Sequence, residues 1–248
     1  MWAIYDLIMK LILAVIITGI VVGTYFLLRN KSNKAKLIPF MIMGAFLVLF
    51  EIAKIIIGFQ RPEGFRNLWL PFHVCSLFVF IMAPAAFLKQ GSKASNIFWA
   101  ASLLLCVMLI VGTIVAPSMI TGDQSRRILT GATSDMHWVP AFMDWHSVIF
   151  HAVPIAFFIL LLIFKPYKPQ RMELVYGGII FAGFMAVALI MANVLSVNFA
   201  SFSPNSNDLI IQLALYVAYL VGATLACLAI VYFPKLMRRT KTKETTSE

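Results

Sequence analysis

The chain has 248 residues, of which 61% are hydrophobic and only 12% charged, with a mean hydropathy of +0.91. A soluble domain is nearer half apolar and a quarter charged, so these values exclude an ordinary water-soluble fold. The net charge of +10 would suit nucleic acid, but its placement along the chain assigns it to membrane topology.

Seven apolar stretches of about 20 residues recur along the length, the spacing expected of bilayer-crossing helices. They fall at roughly 7–28, 37–59, 70–88, 97–116, 146–164, 174–197 and 209–233. The sequence therefore predicts an all-α, multi-pass protein of the cell membrane, a bundle of seven transmembrane helices. It forms one domain over 1–234, followed by a basic tail over 235–248 expected to be disordered. The first stretch is not a cleaved signal peptide, because its positive charge (Arg29, Lys31, Lys34) follows the apolar run instead of preceding it.

With the N-terminus outside and the C-terminus inside, the cytoplasmic connections and tail receive Arg29, Lys31, Lys34, Lys36, Lys89, Lys93, Lys165, Lys168, Arg171, Lys235, Arg238, Arg239, Lys241 and Lys243. The outer side receives only Arg61, Arg66, Arg126 and Arg127. This is the positive-inside bias. Trp2, Trp69, Trp138 and Trp145 fall at the outer interface and Trp99 at the inner one.

Polar residues at membrane depth are costly and mark sites or pairs. The second helix carries Glu51 and Lys54, three apart and able to pair. The third opens with Leu70-Pro71-Phe72-His73-Val74-Cys75-Ser76. Pro71 suits a first helical turn, which puts Cys75 about one turn in, beyond the strongest influence of the helix N-terminus. His73, two residues away and about 200° around the helix, points elsewhere. Cys106 and Cys227 lie among apolar residues and read as packing, and the three cysteines do not suggest a disulfide framework. The long connection 117–145 is too apolar for a free linker and predicts a lid beside the third and fifth helices. Asp144 reads as the N-cap of the fifth helix. That helix carries His146 and His151, about 140° apart. The sixth has small residues at Gly178, Ala182 and Ala186 with Asn193 on the same face. The seventh has Ala214, Ala218, Gly222 and Ala226, with Asp208, Gln212, Tyr216 and Tyr219 opposite, so it reads as central.

In the predicted topology these polar groups cluster in the outer half of the membrane, which points to an outward-facing cavity. A base for Cys75 must come from another helix, and His151 or His146 is at a suitable depth. His73, Glu51, Lys54, Asn193 and Gln212 are the candidate binding residues. No phosphate-loop, dinucleotide or HExxH pattern is present, and the His and Cys spacing does not favour a metal, so no metal or cofactor is expected.

The seven-residue motif, together with Trp145-His146-Ser147-Val148-Ile149-Phe150-His151, resembles YwaF-type bacterial integral membrane proteins. More distantly it is similar to an animal transmembrane phospholipid acyltransferase and to the androgen-induced-protein hydrolases of fatty-acid esters. The resemblance implies Cys75 as nucleophile and His151, or else His146, as base. It also implies a membrane lipid, either lysolipid or acyl ester, as substrate. The other reading of the same residues is a small-molecule transporter or ligand-binding membrane sensor without covalent chemistry.

Overall fold

A computed structural model describes residues 2–59, 70–115, 122–130, 138–168, 170–197 and 209–244. Arg61, Arg66, Trp69 and Asp208 lie outside these residues. The described residues are all-helical: α1 (Trp2–Leu28), α2 (Ile38–Gly58), α3 (Leu77–Phe87), α4 (Lys93–Val115), α5 (Gly122–Thr130), α6 (Trp138–Phe164), α7 (Arg171–Leu195) and α8 (Leu209–Glu244). Six of them, α1, α2, α4, α6, α7 and α8, are long and apolar enough to cross a membrane.

The expectation of seven full spans needs correction at the third. Residues 70–88 hold a 3-10 turn, Val74–Ser76, and the 11-residue α3. At 1.5 Å rise per residue, α3 is only about 16 Å long, against roughly 30 Å of hydrocarbon. The cause lies at Pro71. It is not the first helical residue but the centre of a tight turn, in which the Phe72 amide donates to the Leu70 carbonyl at 2.9 Å. The Ser76 amide then bonds the His73 carbonyl at 2.9 Å, and helical structure starts there. At the far end Leu88 turns extended, with φ −68° and ψ 154°.

α2 pairs antiparallel with both α3 and α6. Ser76 at the start of α3 bonds Glu51, past the midpoint of α2, while Ala83 meets Gly44 near the α2 start. Cys75 therefore opens a helix within the bundle and not at its rim. On α6, His146 faces Glu51, and eleven residues on Phe157 meets Phe40. Phe40, Trp99 and Phe157 form a buried aromatic cluster with centroids 4.9–5.6 Å apart, tying α2, α4 and α6 together. The Trp99 indole N–H donates to Gln90, whose amide in turn donates to the Ala85 and Ala86 carbonyls where α3 ends.

α4 is the most buried spanning helix and α1 and α8 the least, so the central position expected for the last helix belongs to α4. The register of the small-residue stripes also differs from expectation. Gly178 faces open space, and Ala214 and Ala218 are exposed. The inward face of α7 runs through Leu174, Gly177, Phe181, Met185, Ala188 and Ala192. A Cβ at Gly177 would sit 2.9 Å from the Ala101 nitrogen and 3.0 Å from its Cα. Both are backbone atoms of α4 and cannot swing aside. Gly177→Ala is therefore expected to force α4 and α7 apart and cost about 1–3 kcal/mol, whereas Gly178→Ala should be close to neutral. Apparent melting temperatures of the two variants in detergent provide the comparison.

Three boundaries move. The fifth predicted span starts at Trp138, so Asp144 is not a cap but lies inside α6, where Arg127 of α5 grips it with two hydrogen bonds, 2.8 Å from Nε and 2.5 Å from Nη2. The 117–145 connection thus contains a helix, α5, which packs on α6, the expected fifth helix, and on α1. Finally, α8 continues through Glu244, into the segment read as a disordered tail.

Candidate functional site

Three short stretches build the site: Glu51 and Lys54 on α2, Cys75 and Ser76 in the turn that opens α3, and His146, Ser147 and His151 on α6. Glu51 and Lys54 sit one helical turn apart on the buried face of α2, with 4% and 7% of their surfaces exposed. Two charges can be kept there only as a pair, and the Lys54 ammonium donates to Glu51 Oε1 at 2.5 Å. The Ser76 hydroxyl donates to the same oxygen at 3.1 Å. Oε2, the other carboxylate oxygen, lies 3.5 Å from His146 Nε2. That is ion-pair range but too long for a formed hydrogen bond, and both atoms are buried without a hydrogen-bond partner. The His146 ring is fixed between two parallel aromatic faces, Phe50 at 4.7 Å and Phe150 at 4.8 Å between centroids.

The Cys75 thiol and the His151 imidazole lie beside each other and interact electrostatically. His151 Nδ1 lies 2.7 Å from the Ser147 carbonyl. A carbonyl can only accept, so Nδ1 carries the proton and Nε2 is left with the lone pair. The imidazole is thereby held in the tautomer that can take a proton. Lys54 and Glu51 both act electrostatically on Cys75, with opposite sign. Because helical structure begins at Val74, Cys75 lies in the first turn, not one turn in as the Pro71 reading placed it. Helix N-termini favour a negative sulfur.

Of the residues singled out from the sequence, Cys75, His151, Glu51, Lys54 and His146 thus share one neighbourhood, with the two histidines divided: His151 on the thiol, His146 on the carboxylate. His73 is half-buried ahead of the turn. Asn193 and Gln212 pair with each other across α7 and α8, Asn193 Nδ2 donating to Gln212 Oε1 at 2.8 Å, so they form a separate junction. Cys106 donates to the Pro154 carbonyl at 3.6 Å, and Cys227 to the Leu174 carbonyl at 3.8 Å. Both are interhelical packing contacts. Among the described residues no group of three or more His, Cys, Asp and Glu is arranged to hold a metal ion.

Sequence reasoning missed Ser76 as a carboxylate donor and Ser147 as the group that fixes the His151 tautomer. The second was within reach, since a carbonyl four residues before a helical histidine lies on the same face.

A thiol beside an imidazole of fixed tautomer, set among six membrane-length helices, defines a polytopic helical membrane protein with a candidate thiol–imidazole site. The chain belongs to the TMEM164 family, whose family model matches residues 3–235 and so covers the motif and both α6 histidines. No curated protein and no solved structure matches the chain.

Proposed function

We propose that this protein is a thiol-dependent lipid acyltransferase or lipid-ester hydrolase of the cell membrane, with its site in the outer half of the bilayer. The observation that carries this reading is the juxtaposition of Cys75 with His151, whose Nδ1 is committed to the Ser147 carbonyl. An ordinary thiol is only a few per cent ionised at neutral pH, so an adjacent base is the requirement for nucleophilic work. The resemblance to acyl-transferring and ester-cleaving membrane proteins agrees with it.

His151 Nε2 takes the thiol proton as sulfur attacks the carbonyl carbon of an acyl ester. The C–O bond breaks, the departing alkoxide takes the proton back from the imidazolium, and the acyl group is left as a thioester on Cys75. A lysolipid hydroxyl or water then gives its proton to Nε2 and attacks the thioester. The C–S bond breaks and the thiol is restored. Lys54, whose charge acts on Cys75, and the first-turn amides of α3 are the groups suited to stabilise the oxyanion in each half. Ser76 is not, because its hydroxyl is committed to Glu51.

His151→Gln should slow thioester formation by about 10²–10⁴-fold, and His146→Gln by less than tenfold. The assay is intact-mass detection of hydroxylamine-labile acylation after incubation with a phospholipid of labelled acyl chain. Undiminished acylation in His151→Gln would end the assigned roles.

One observation favours the second reading, a ligand-binding sensor or transporter. The facing, unpartnered Glu51 Oε2 and His146 Nε2 are suited to bridging by a small polar ligand. Saturable binding of such a ligand to Cys75→Ser protein, with no acylation of the wild type by any acyl ester tried, would favour it.

We also propose that α3 with the residues before it makes the seventh crossing, so that the N-terminus is outside and the C-terminus inside, as the Lys/Arg asymmetry requires. A cysteine at Lys243 is then expected to resist impermeant maleimide on intact cells and to react after permeabilisation. Ready labelling of intact cells would invert the topology and move the site to the cytoplasmic half.

A further inference from the structure

An open cleft of about 510 Å³ lies at the end of the bundle opposite the thiol, between the last turn of α1, the turn leading into α2 and the last turn of α6. Its lining is Tyr25, Arg29, Asn30, Lys36, Ile163 and Phe164. The volume falls within the roughly 300–1,000 Å³ of small-ligand sites. The lining contains two cations, a phenol and an amide, but no carboxylate. Among the described residues neither Arg29 nor Lys36 forms an ion pair. Arg29 is instead held over the Phe26 ring at 5.1 Å, a contact that fixes the guanidinium without neutralising it.

Toward the membrane interior the surface below the cleft is apolar. Phe26, Leu27 and Val22 on α1, and Leu162 and Ile163 on α6, are exposed, as residues facing acyl chains would be. Cations at the head of an apolar interhelical seam match the geometry of a phospholipid, with the phosphate at the top and the chains below. The seam also has a structural need for a filler, because α1 is among the least buried helices and packs mainly on α5 and α6.

We propose that this cleft binds the phosphate of an anionic glycerophospholipid, with Arg29 and Lys36 on the phosphate oxygens, Tyr25 and Asn30 on the headgroup, and the chains lying along α1 and α6. The bound lipid clamps the end of α1 to the start of α2 and the end of α6. The inference is independent of the chemistry at Cys75.

The test uses the full chain, delipidated in neutral detergent and titrated with short-chain phosphatidylglycerol, phosphatidylcholine or inorganic phosphate, with lipid retention read by native mass spectrometry and stability by thermal shift. Phosphatidylglycerol is expected to bind at least tenfold more tightly than phosphatidylcholine and to raise the melting temperature. Each of Arg29→Gln and Lys36→Gln should weaken it about fivefold, and Lys36→Arg should restore most of the loss. Equal affinity for phosphatidylglycerol and phosphatidylcholine in the wild type would overturn the proposal without reference to any variant. So would full retention of the preference in the Arg29→Gln/Lys36→Gln protein. Inorganic phosphate that matches the lipid in affinity and thermal shift would make this a free-phosphate site and overturn the lipid assignment.

Discussion

Replacing Cys75 with alanine is expected to abolish acyl transfer, lowering turnover by at least about 10³-fold, and to remove all hydroxylamine-labile acylation. No other described cysteine can substitute. Cys106 is buried against the Pro154 carbonyl, and Cys227 lies on the α7–α8 junction. The stability cost should be small, because the change removes one partly buried sulfur from the start of a short helix and leaves the Glu51–Lys54–Ser76 contacts intact. That separation makes the measurement decisive. Turnover of Cys75→Ala at wild-type rate in a reconstituted lipid assay would end the thiol mechanism. Loss of turnover with an unchanged melting temperature is the result the proposed mechanism requires. Competition by a lysolipid against labelling of Cys75 with a lipid-like electrophile would identify the same site as the acyl-acceptor site.

Glu51→Ala should be the most destabilising single change at the site. The carboxylate is the shared partner of Lys54 and Ser76 and faces His146. Its removal strands the ammonium of Lys54, a residue only 7% exposed. Breaking one side of a buried pair costs about 3–5 kcal/mol, whereas replacing both members with apolar residues of similar volume is often neutral or stabilising. Hence Glu51→Ala should lower the apparent melting temperature sharply, and Glu51→Leu/Lys54→Met should recover most of the loss. A Glu51→Ala protein within about 1 kcal/mol of wild type would mean that the pair is hydrated and the site more open than its burial indicates. The double variant separates stability from chemistry: with Lys54 gone, acylation should fall even where the fold is restored.

Much of this was legible in the linear sequence, and the misses have physical causes. Glu51 and Lys54 are neighbours on any helix, because i and i+3 share a face. The long α1, α2, α4, α6, α7 and α8 were readable because the hydropathy of a span is a sum over consecutive residues. The 70–88 stretch has the same composition, yet yields only an 11-residue helix. Composition cannot tell whether Pro71 starts a helix or closes a turn, since its φ suits both. Asp144 looked like a cap because α6 was assumed to start where hydropathy rises. In the fold two further turns precede it, and Arg127, 17 residues earlier, supplies the partner. The small-residue stripe on α7 was assigned one register away from the face that packs, Gly178 in place of Gly177.

What the sequence determined by itself is the class of protein and the inventory of its costly groups. A bilayer imposes one-dimensional rules of run length, flanking charge and the rarity of polar side chains, and each can be counted along a chain. What only the tertiary structure decided is which of those groups meet. His146 and His151 both lie in α6 at depths compatible with Cys75, and their spacing turns them about 140° apart, so at most one can face the thiol. The choice depends on how α6 is rotated about its own axis. That rotation is set by contacts spread along α6, by Phe157 against Phe40 and Trp99 and by Arg127 on Asp144. It turns His151 to the sulfur and His146 to Glu51.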